Sequence, residues 1–312
     1  MRVLLTGGCG YVGSVLVPKL LAAGHEVKVF DIGWFGFYHE KHPNLFVFNS
    51  GFLNAHCGPS VDAIIHLAAI ANDPTGDLDP KLTWETNALG TMRLADMAAR
   101  SLVKQFIYAS SGSVYGVNDA PQITEDLPLE PLTEYNKTKM VAERCVLSYA
   151  DRMQVQIVRP ATVCGWSPRM RLDTVINRHT MQALDKGRIT VYGGAQVRPH
   201  ITIEDMTDLY CWLLNRPHLT GIYNAGFENY TVDATAMGIA LTCGAEIEHQ
   251  PTTDPRSYRM NSDKLVAAGF TPRMTVARTI LDLQARYAAG QLKDGPLMHN
   301  LDRMRELNIG TH

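Results

Sequence analysis

The chain has 312 residues, 46% hydrophobic and 19% charged, with a formal charge of −2. That length exceeds one small domain and predicts a large domain plus a smaller one, while the near-neutral balance excludes nucleic acid and anionic membranes as partners, since no long-range field would gather them. Cys9, Cys57, Cys145, Cys164, Cys211 and Cys243 form no CxxC pair, which predicts buried thiols in a reducing cytoplasm and neither disulfides nor a metal site. No apolar run reaches the ~20 residues of a membrane span, and no charged n-region precedes an apolar stretch at the start. A cytoplasmic protein with a small-molecule site is therefore expected.

In chain order, short β-branched runs alternate with segments of helical period, the signature of βαβ units and a parallel sheet. "RVLLTG" reads as the first strand, "VGSVLVPKLLAAG" as a helix closed by Gly24, and "EVKVFD" as the second strand. "LFVFN" and "DAIIHLAA" read as the next two. A helix around "TWETNALGTMRLADMAARS" precedes the strand "QFIYAS", and another around "EYNKTKMVAERCVLSYADR" precedes "VQIVRPATV". From Trp166 the rhythm loosens. The fold class expected is α/β, a Rossmann-type doubly wound parallel sheet with a smaller C-terminal α/β substrate domain. Residues 1–165 would form the first domain, with a return segment at about 203–227, and 166–202 with 228–312 the second.

The strongest local signal is "TGGCGYVG" between the first strand and first helix. Gly7 permits the tight turn, Gly10 lets the backbone approach a pyrophosphate, and Gly13 lets the helix pack close with its positive end toward the phosphates. Asp31, ending the second strand, stands where a carboxylate accepts bonds from an adenosine ribose and repels the 2'-phosphate of NADP. These residues specify NAD. In "EYNKTK", Tyr135 and Lys139 lie four apart and share a helix face, so a cation sits near the phenol and favours phenolate. The strand before that helix ends in "SSGSVYG", two serines followed by Gly112 and Ser113.

The glycine turn, "HLAA" at His66 to Ala69, Asn87, Ser111 before "VYG", the YxxxK pair and "RP" at Arg159 and Pro160 together resemble the extended short-chain dehydrogenase/reductase family, in particular its NAD-dependent nucleotide-sugar epimerases and dehydratases. The resemblance implies NAD in the first domain, a nucleoside diphosphate sugar in the second, and chemistry between them. Ser111 would bond the reacting oxygen, Tyr135 would move its proton, and Lys139 would bind the nicotinamide ribose and depress the Tyr135 pKa. Tyr11, Val12, Leu67, Ala68, Ala69, Asn87 and Pro160 would line the cofactor site, and Asn49 would meet the adenine. Ala71, Asn72, Thr162, Arg169, Arg171, Arg198 and Arg256 would face the substrate, with Arg198 on its diphosphate and Arg256 and Arg259 as a second clamp. His179, His200 and Cys164 read as structural, and Ser110 as finishing its strand by bonding nearby backbone. The helices near Thr86 to Ser101 and Glu134 to Ala150 correspond to a dimer interface in relatives, which implies a homodimer.

Related 4,6-dehydratases carry Asp-Glu after the Ser/Thr, and related uronic acid decarboxylases a glutamate where Ser113 stands. Gly112 and Ser113 cannot titrate near neutrality, so the pattern points to reactions that need only hydride transfer and one tyrosine. Epimerisation through a transient keto-sugar is the leading expectation. A keto-sugar nucleotide reductase using NAD(P)H, or a non-catalytic NAD-sensing protein, are the alternatives.

Overall fold

The computed structural model describes residues 1–55, 61–118, 120–254 and 256–310. Cys57 lies outside the described residues. Seven strands, β1 (Arg2–Thr6), β2 (Glu26–Asp31), β3 (Leu45–Asn49), β4 (Ala63–His66), β5 (Gln105–Ala109), β6 (Gln154–Pro160) and β10 (Gly221–Ala225), form one parallel sheet in the order β10-β6-β5-β4-β1-β2-β3. The chain first builds outward from β1 to β3, then crosses to β4 on the other side of β1. That reversal opens a crevice beyond the carboxyl ends of β1 and β4, where doubly wound sheets bind ligands.

Both faces of this sheet are covered, and the strands show why. In β1, Val3 and Leu5 join a core with Leu16, Val17 and Leu20 of the helix Gly13–Ala22 and with Leu209 and Leu213 of the helix Ile203–Leu214. Leu4, pointing the other way, joins Leu94, Ala98, Ala142 and Val146 of the helices Thr91–Arg100 and Glu134–Leu147. Strand residues alternate between faces, so a strand packed on both sides must be apolar throughout. The edge strand β3 departs from this, with Phe46, Val47 and Phe48 all exposed.

The helix expected over "TWETNALGTMRLADMAARS" forms as Pro80–Trp84 and Thr91–Arg100 joined by a wide-turn segment, Glu85–Gly90. Asn87 in that segment exchanges two side-chain bonds with the backbone of Ile70, at 2.9 and 3.0 Å, and the Thr91 hydroxyl donates to the Asn87 carbonyl. Side-chain bonds of this kind compete with regular helical ones.

Beyond β6 the chain adds β7 (Thr162–Cys164), β9 (Val197–Thr202) and β11 (Glu228–Thr231) as a small sheet, and β8 (Arg188–Tyr192) pairs in parallel with β12 (Glu246–Gln250). The helices Val175–Lys186, Val232–Cys243 and Val276–Ala288 share a core with β8 through Ile176, Ala236, Ile239, Ile280 and Ile189. A last helix, Asn300–Glu306, returns to the crevice. Among the described residues no helix is long and apolar enough to cross a membrane.

Candidate active site

A cleft of about 990 Å³ opens at the β1/β4 crevice and runs into the second half of the chain. One end is built from backbone. Gly7 has φ +71°, and a Cβ there would lie 2.7 Å from the Ala68 nitrogen; at Gly13 it would lie 2.5 Å from the Gly7 carbonyl. Only glycine allows this turn to lie flat against the β4 loop and the helix to start directly behind it. Asp31 is fixed beside it by two backbone donors, Cys9 N to Oδ2 and Gly33 N to Oδ1, both at 2.9 Å. Burial nonetheless raises the Asp31 pKa.

Gly7, Gly10, Tyr11, Val12, Gly13, Asp31, Leu67, Ala68, Ala69 and Pro160 all line this end. Asn49 and Asn87 do not. Asn49 is exposed on the edge strand, on a separate groove with Phe37, His39 and Val47, and Gly51, Phe52, Leu53 and Asn54 close the cleft instead. Asn87 is buried and spends its amide holding Ile70 and, at 3.2 Å, the Thr138 hydroxyl. It shapes the "HLAAI" loop without reaching the cleft.

The second region is the corner where Ser111, Tyr135 and Lys139 meet. Thr133 caps the helix Glu134–Leu147, its hydroxyl accepting from Asn136 N, and the helix turns Tyr135 and Lys139 toward the end of β5. Lys139 donates to the Ala109 carbonyl at 2.7 Å, and its Nζ lies 6.0 Å from the Tyr135 ring centre. Burial pushes Lys139 down to about 7, partly opposed by Glu143. Tyr135 is pushed up to about 12 by burial; Arg171 pulls it down, Asp73 adds to the rise, and the neighbouring Ser111 hydroxyl lowers it slightly. Arg171, which the sequence reading placed on the substrate, thus also acts on this phenol, beside Lys139. His66 is buried between the hydroxyls of Thr6 and Thr91, at 2.6 and 2.9 Å, and burial pushes it down to about 3. A neutral imidazole ties β1 to β4 there.

Ser110 does more than finish its strand. Its hydroxyl donates to Glu143, which forms a buried two-bond pair with Arg159 at 2.9 and 2.7 Å. Arg159 continues to the Tyr115 hydroxyl at 2.8 Å, and Tyr115 to Asn224 at 2.8 Å. The network locks the Tyr135 helix to β5, β6 and β10 from behind. Ser111, one residue on, faces the cleft, and Ser113 lines it as well.

The third region carries charge. Arg198 bonds Asp254 at 2.9 Å and the Arg256 carbonyl. Arg256 holds Asp254 through Nε at 2.8 Å and reaches Asp73, beside Asn72, through Nη1. Arg171 pairs with Asp173, which also accepts from Asn72 at 3.0 Å. All these residues line the cleft, with Ala71 and Thr162; Arg259 does not. Arg169 lies between this cluster and the glycine turn: Arg171 and Asp173 act on its charge, its backbone bonds Ser14, its guanidinium lies 4.0 Å over Phe35, and its charge acts on Asp31. Asn300 and Met304 of the last helix close over that end, where Asn300 accepts from Arg169 at 2.5 Å. Arg178, unmarked in the sequence reading, also lines the cleft, with an Nε that has no partner among the described residues. Its signal was an arginine at the start of a helix following a basic loop. His179 and His200 are buried, as are the thiols of Cys9 and Cys164.

The family model described as NAD dependent epimerase/dehydratase family matches residues 3–226. The chain belongs to that family. Within the NAD dependent epimerases/dehydratases it is 26% identical to the UDP-glucose 4-epimerase of Lactobacillus helveticus, covering 92% of this chain and 93% of that one. It is 31% identical to UDP-glucuronic acid decarboxylase 1 of Danio rerio over 69% of this chain and 54% of that protein. The UDP-glucose 4-epimerase of Thermus thermophilus, solved with NAD, superposes with a TM-score of 0.82 at 27% identity, covering 94% of this chain and all of that one. The dTDP-glucose 4,6-dehydratase DesIV of Streptomyces venezuelae, solved with NAD and TYD, gives 0.82 at 25% over 93% and 98%. This chain is therefore an extended short-chain dehydrogenase/reductase enzyme with a Rossmann-type sheet, and its cofactor is NAD. The flat glycine turn, the helix start behind it and the anchored Asp31 fit that cofactor.

Proposed function

We propose that this enzyme epimerises a nucleoside diphosphate sugar at a carbon it transiently oxidises. The observation that carries the reading is the room beside Ser111. Gly112 packs under Met260, where a Cβ would lie 2.4 Å from the movable Cε and 3.0 Å from the Pro160 carbonyl, and with Ser113 it leaves no titratable side chain directly after Ser111. The other nearby carboxylates, Asp73 and Asp173, are engaged by Arg256 and Arg171. Tyr135 is left as the acid/base at this corner, which serves oxidation and re-reduction and falls short of elimination.

Bound NAD would accept a hydride from the sugar carbon and return it to the other face. Tyr135 takes the hydroxyl proton as the carbon–hydrogen bond breaks and gives it back when the bond re-forms. Ser111 bonds the same oxygen, and Lys139 and Arg171 supply positive charge around the phenol. Arg198 and Arg256 meet the diphosphate as two planar forks, with Asp254 keeping them aligned. A UDP- or dTDP-sugar is the first choice, because UDP-glucose 4-epimerases and a dTDP-glucose 4,6-dehydratase are among the relatives. A homodimer through the helices near Thr86 to Ser101 and Glu134 to Ala150 remains part of the proposal.

The test begins with the cofactor released on denaturation. Near-stoichiometric NAD, followed by interconversion of two sugar nucleotides in deuterated solvent without deuterium uptake at carbon, is the expected result. A protein that arrives empty, exchanges NADH freely and reduces a keto-sugar nucleotide would replace this reading with the reductase.

A further inference from the structure

Beside Ser111 lies a chain of hydrogen bonds that the glycine turn and YxxxK pair do not require. The Ser111 and Ser113 hydroxyls are 2.7 Å apart, and the Ser113 hydroxyl lies 2.5 Å from Asn136 Oδ1. The Ser113 amide also donates to Ser111 Oγ at 3.2 Å. Asn136 is fully buried, and its Nδ2 has no partner among the described residues. A buried amide donor left unbonded costs about 1–3 kcal/mol, so this one needs a reason.

Counting protons gives it. A serine hydroxyl has one proton, and an amide oxygen only accepts. With Ser113 donating to Asn136, the Ser111–Ser113 bond must be made with the Ser111 proton, which is then spent on Ser113 and not offered to a sugar oxygen. A half-turn of the Asn136 amide reverses everything: Nδ2 donates to Ser113, Ser113 donates to Ser111, and the Ser111 proton is released toward the reacting oxygen. No covalent bond breaks; two hydroxyls and one amide rotate. Bonds in such a chain polarise one another, so the last donor is strengthened by those behind it.

We propose that Ser113 and Asn136 are positioning residues that set the direction of the Ser111 hydrogen bond, toward Ser113 in one arrangement of the chain and toward the sugar oxygen in the other. The idle Nδ2 is then the donor that the second arrangement uses. Asn136 directly follows Tyr135, so the helix that carries the acid/base also carries the group that directs its partner. This inference rests on the epimerase reading for the identity of the sugar oxygen, and the hydrogen-bond chain itself rests only on the three side chains.

Single-turnover reduction of bound NAD by a sugar nucleotide that the wild-type enzyme interconverts is the first readout. Ser113→Ala should slow it about 10-fold, the scale of one hydrogen bond, with KM unchanged and with Ser113→Thr restoring the rate. Asn136→Asp, which presents acceptors only, should slow it about 100-fold, the scale of one lost donor at a developing oxyanion. Ser113→Ala at the wild-type rate would overturn the proposal. Should Asn136→Asp not fold, the Ser113 pair decides alone. If the wild type reduces no bound NAD with any sugar nucleotide, the epimerase reading fails separately. The chain is then tested by titrating the Tyr135 phenolate absorbance with NAD bound: Ser113→Ala should move the pKa upward and Ser113→Thr should leave it. An unmoved titration in Ser113→Ala overturns the proposal.

Discussion

The two ends of the cleft are built from different materials. The cofactor end is mostly backbone: a glycine turn, a helix start and two amide bonds to Asp31, all supplied within Gly7 to Gly33. The substrate end is mostly side chains from distant segments, where Arg256 meets Asp73 across 183 positions and Arg198 meets Asp254 across 56. A backbone site is set by local spacing and serves one ligand. A side-chain site is set by pairings that single substitutions can re-sort, which suits a family whose members share NAD and differ in the sugar reaction.

Substitutions at the junction of the two ends should have the largest effect. Tyr135→Phe removes the acid/base and should lower turnover about 10³-fold with NAD binding retained, measured by product separation and cofactor titration. Full turnover in that variant would break the proposed division between a binding end and a reacting corner. Behind the corner, Glu143→Leu leaves Arg159 buried and unpaired, at 3% and 2% exposure for the pair, and should destabilise the fold by ~3–5 kcal/mol in denaturant unfolding. Replacing Glu143 and Arg159 together with apolar residues should recover part of that loss.

A pH experiment separates charge from packing. Lys139 sits at about 7 in the fold against an ordinary 10.5, so between these values the unfolded chain holds a proton that the native cofactor-free protein does not. Stability of the apoprotein should therefore rise with pH across that window, by up to ~1.4 kcal/mol per unit from this group. Lys139→Met should flatten the rise by that amount in unfolding curves collected at successive pH values. At the substrate end, Asp73→Asn leaves Arg256 with Asp254 as its single carboxylate partner and removes a negative charge from beside Tyr135. KM for the sugar nucleotide should fall about 3-fold, and the limb of the pH–rate profile set by Tyr135 should move to lower pH, since an anion there disfavours phenolate. The smallest effect is expected at the exposed Arg188–Glu248 pair, where Arg188→Ala should change stability by less than about 1 kcal/mol.

The contrast also explains what the sequence made legible. The arrangement of Gly7, Gly13 and Asp31 is written in spacing alone, because the strand, turn and helix that hold them are contiguous. Tyr135 and Lys139 were legible for the same reason, being one helical turn apart. Asn87 was misplaced because its motif position marks where it sits in the chain and its amide is consumed by Ile70. Asn49 follows an apolar strand like its neighbours, and only the assembled sheet reveals that this strand is an uncovered edge. Arg169 and Arg171 are two residues apart, and no local rule sends one to Phe35 and the other toward Tyr135. Arg178 and the Ser113–Asn136 bond depend on rotamers that periodicity does not encode.

Asp31 ties cofactor choice to architecture. Each of its oxygens already serves a backbone amide, one from Cys9 within the glycine turn and one from Gly33, which leaves the remaining lone pairs for a ribose. The carboxylate proposed to face the ribose is also a strut of the glycine turn, through the Cys9 amide. Replacing it with a neutral or basic residue, the obvious route to an NADP-using enzyme, would slacken the cradle along with the selectivity. A change at Asp31 would therefore leave the Cys9 amide without its acceptor, so a single side chain couples the proposed choice of dinucleotide to the shape of the turn.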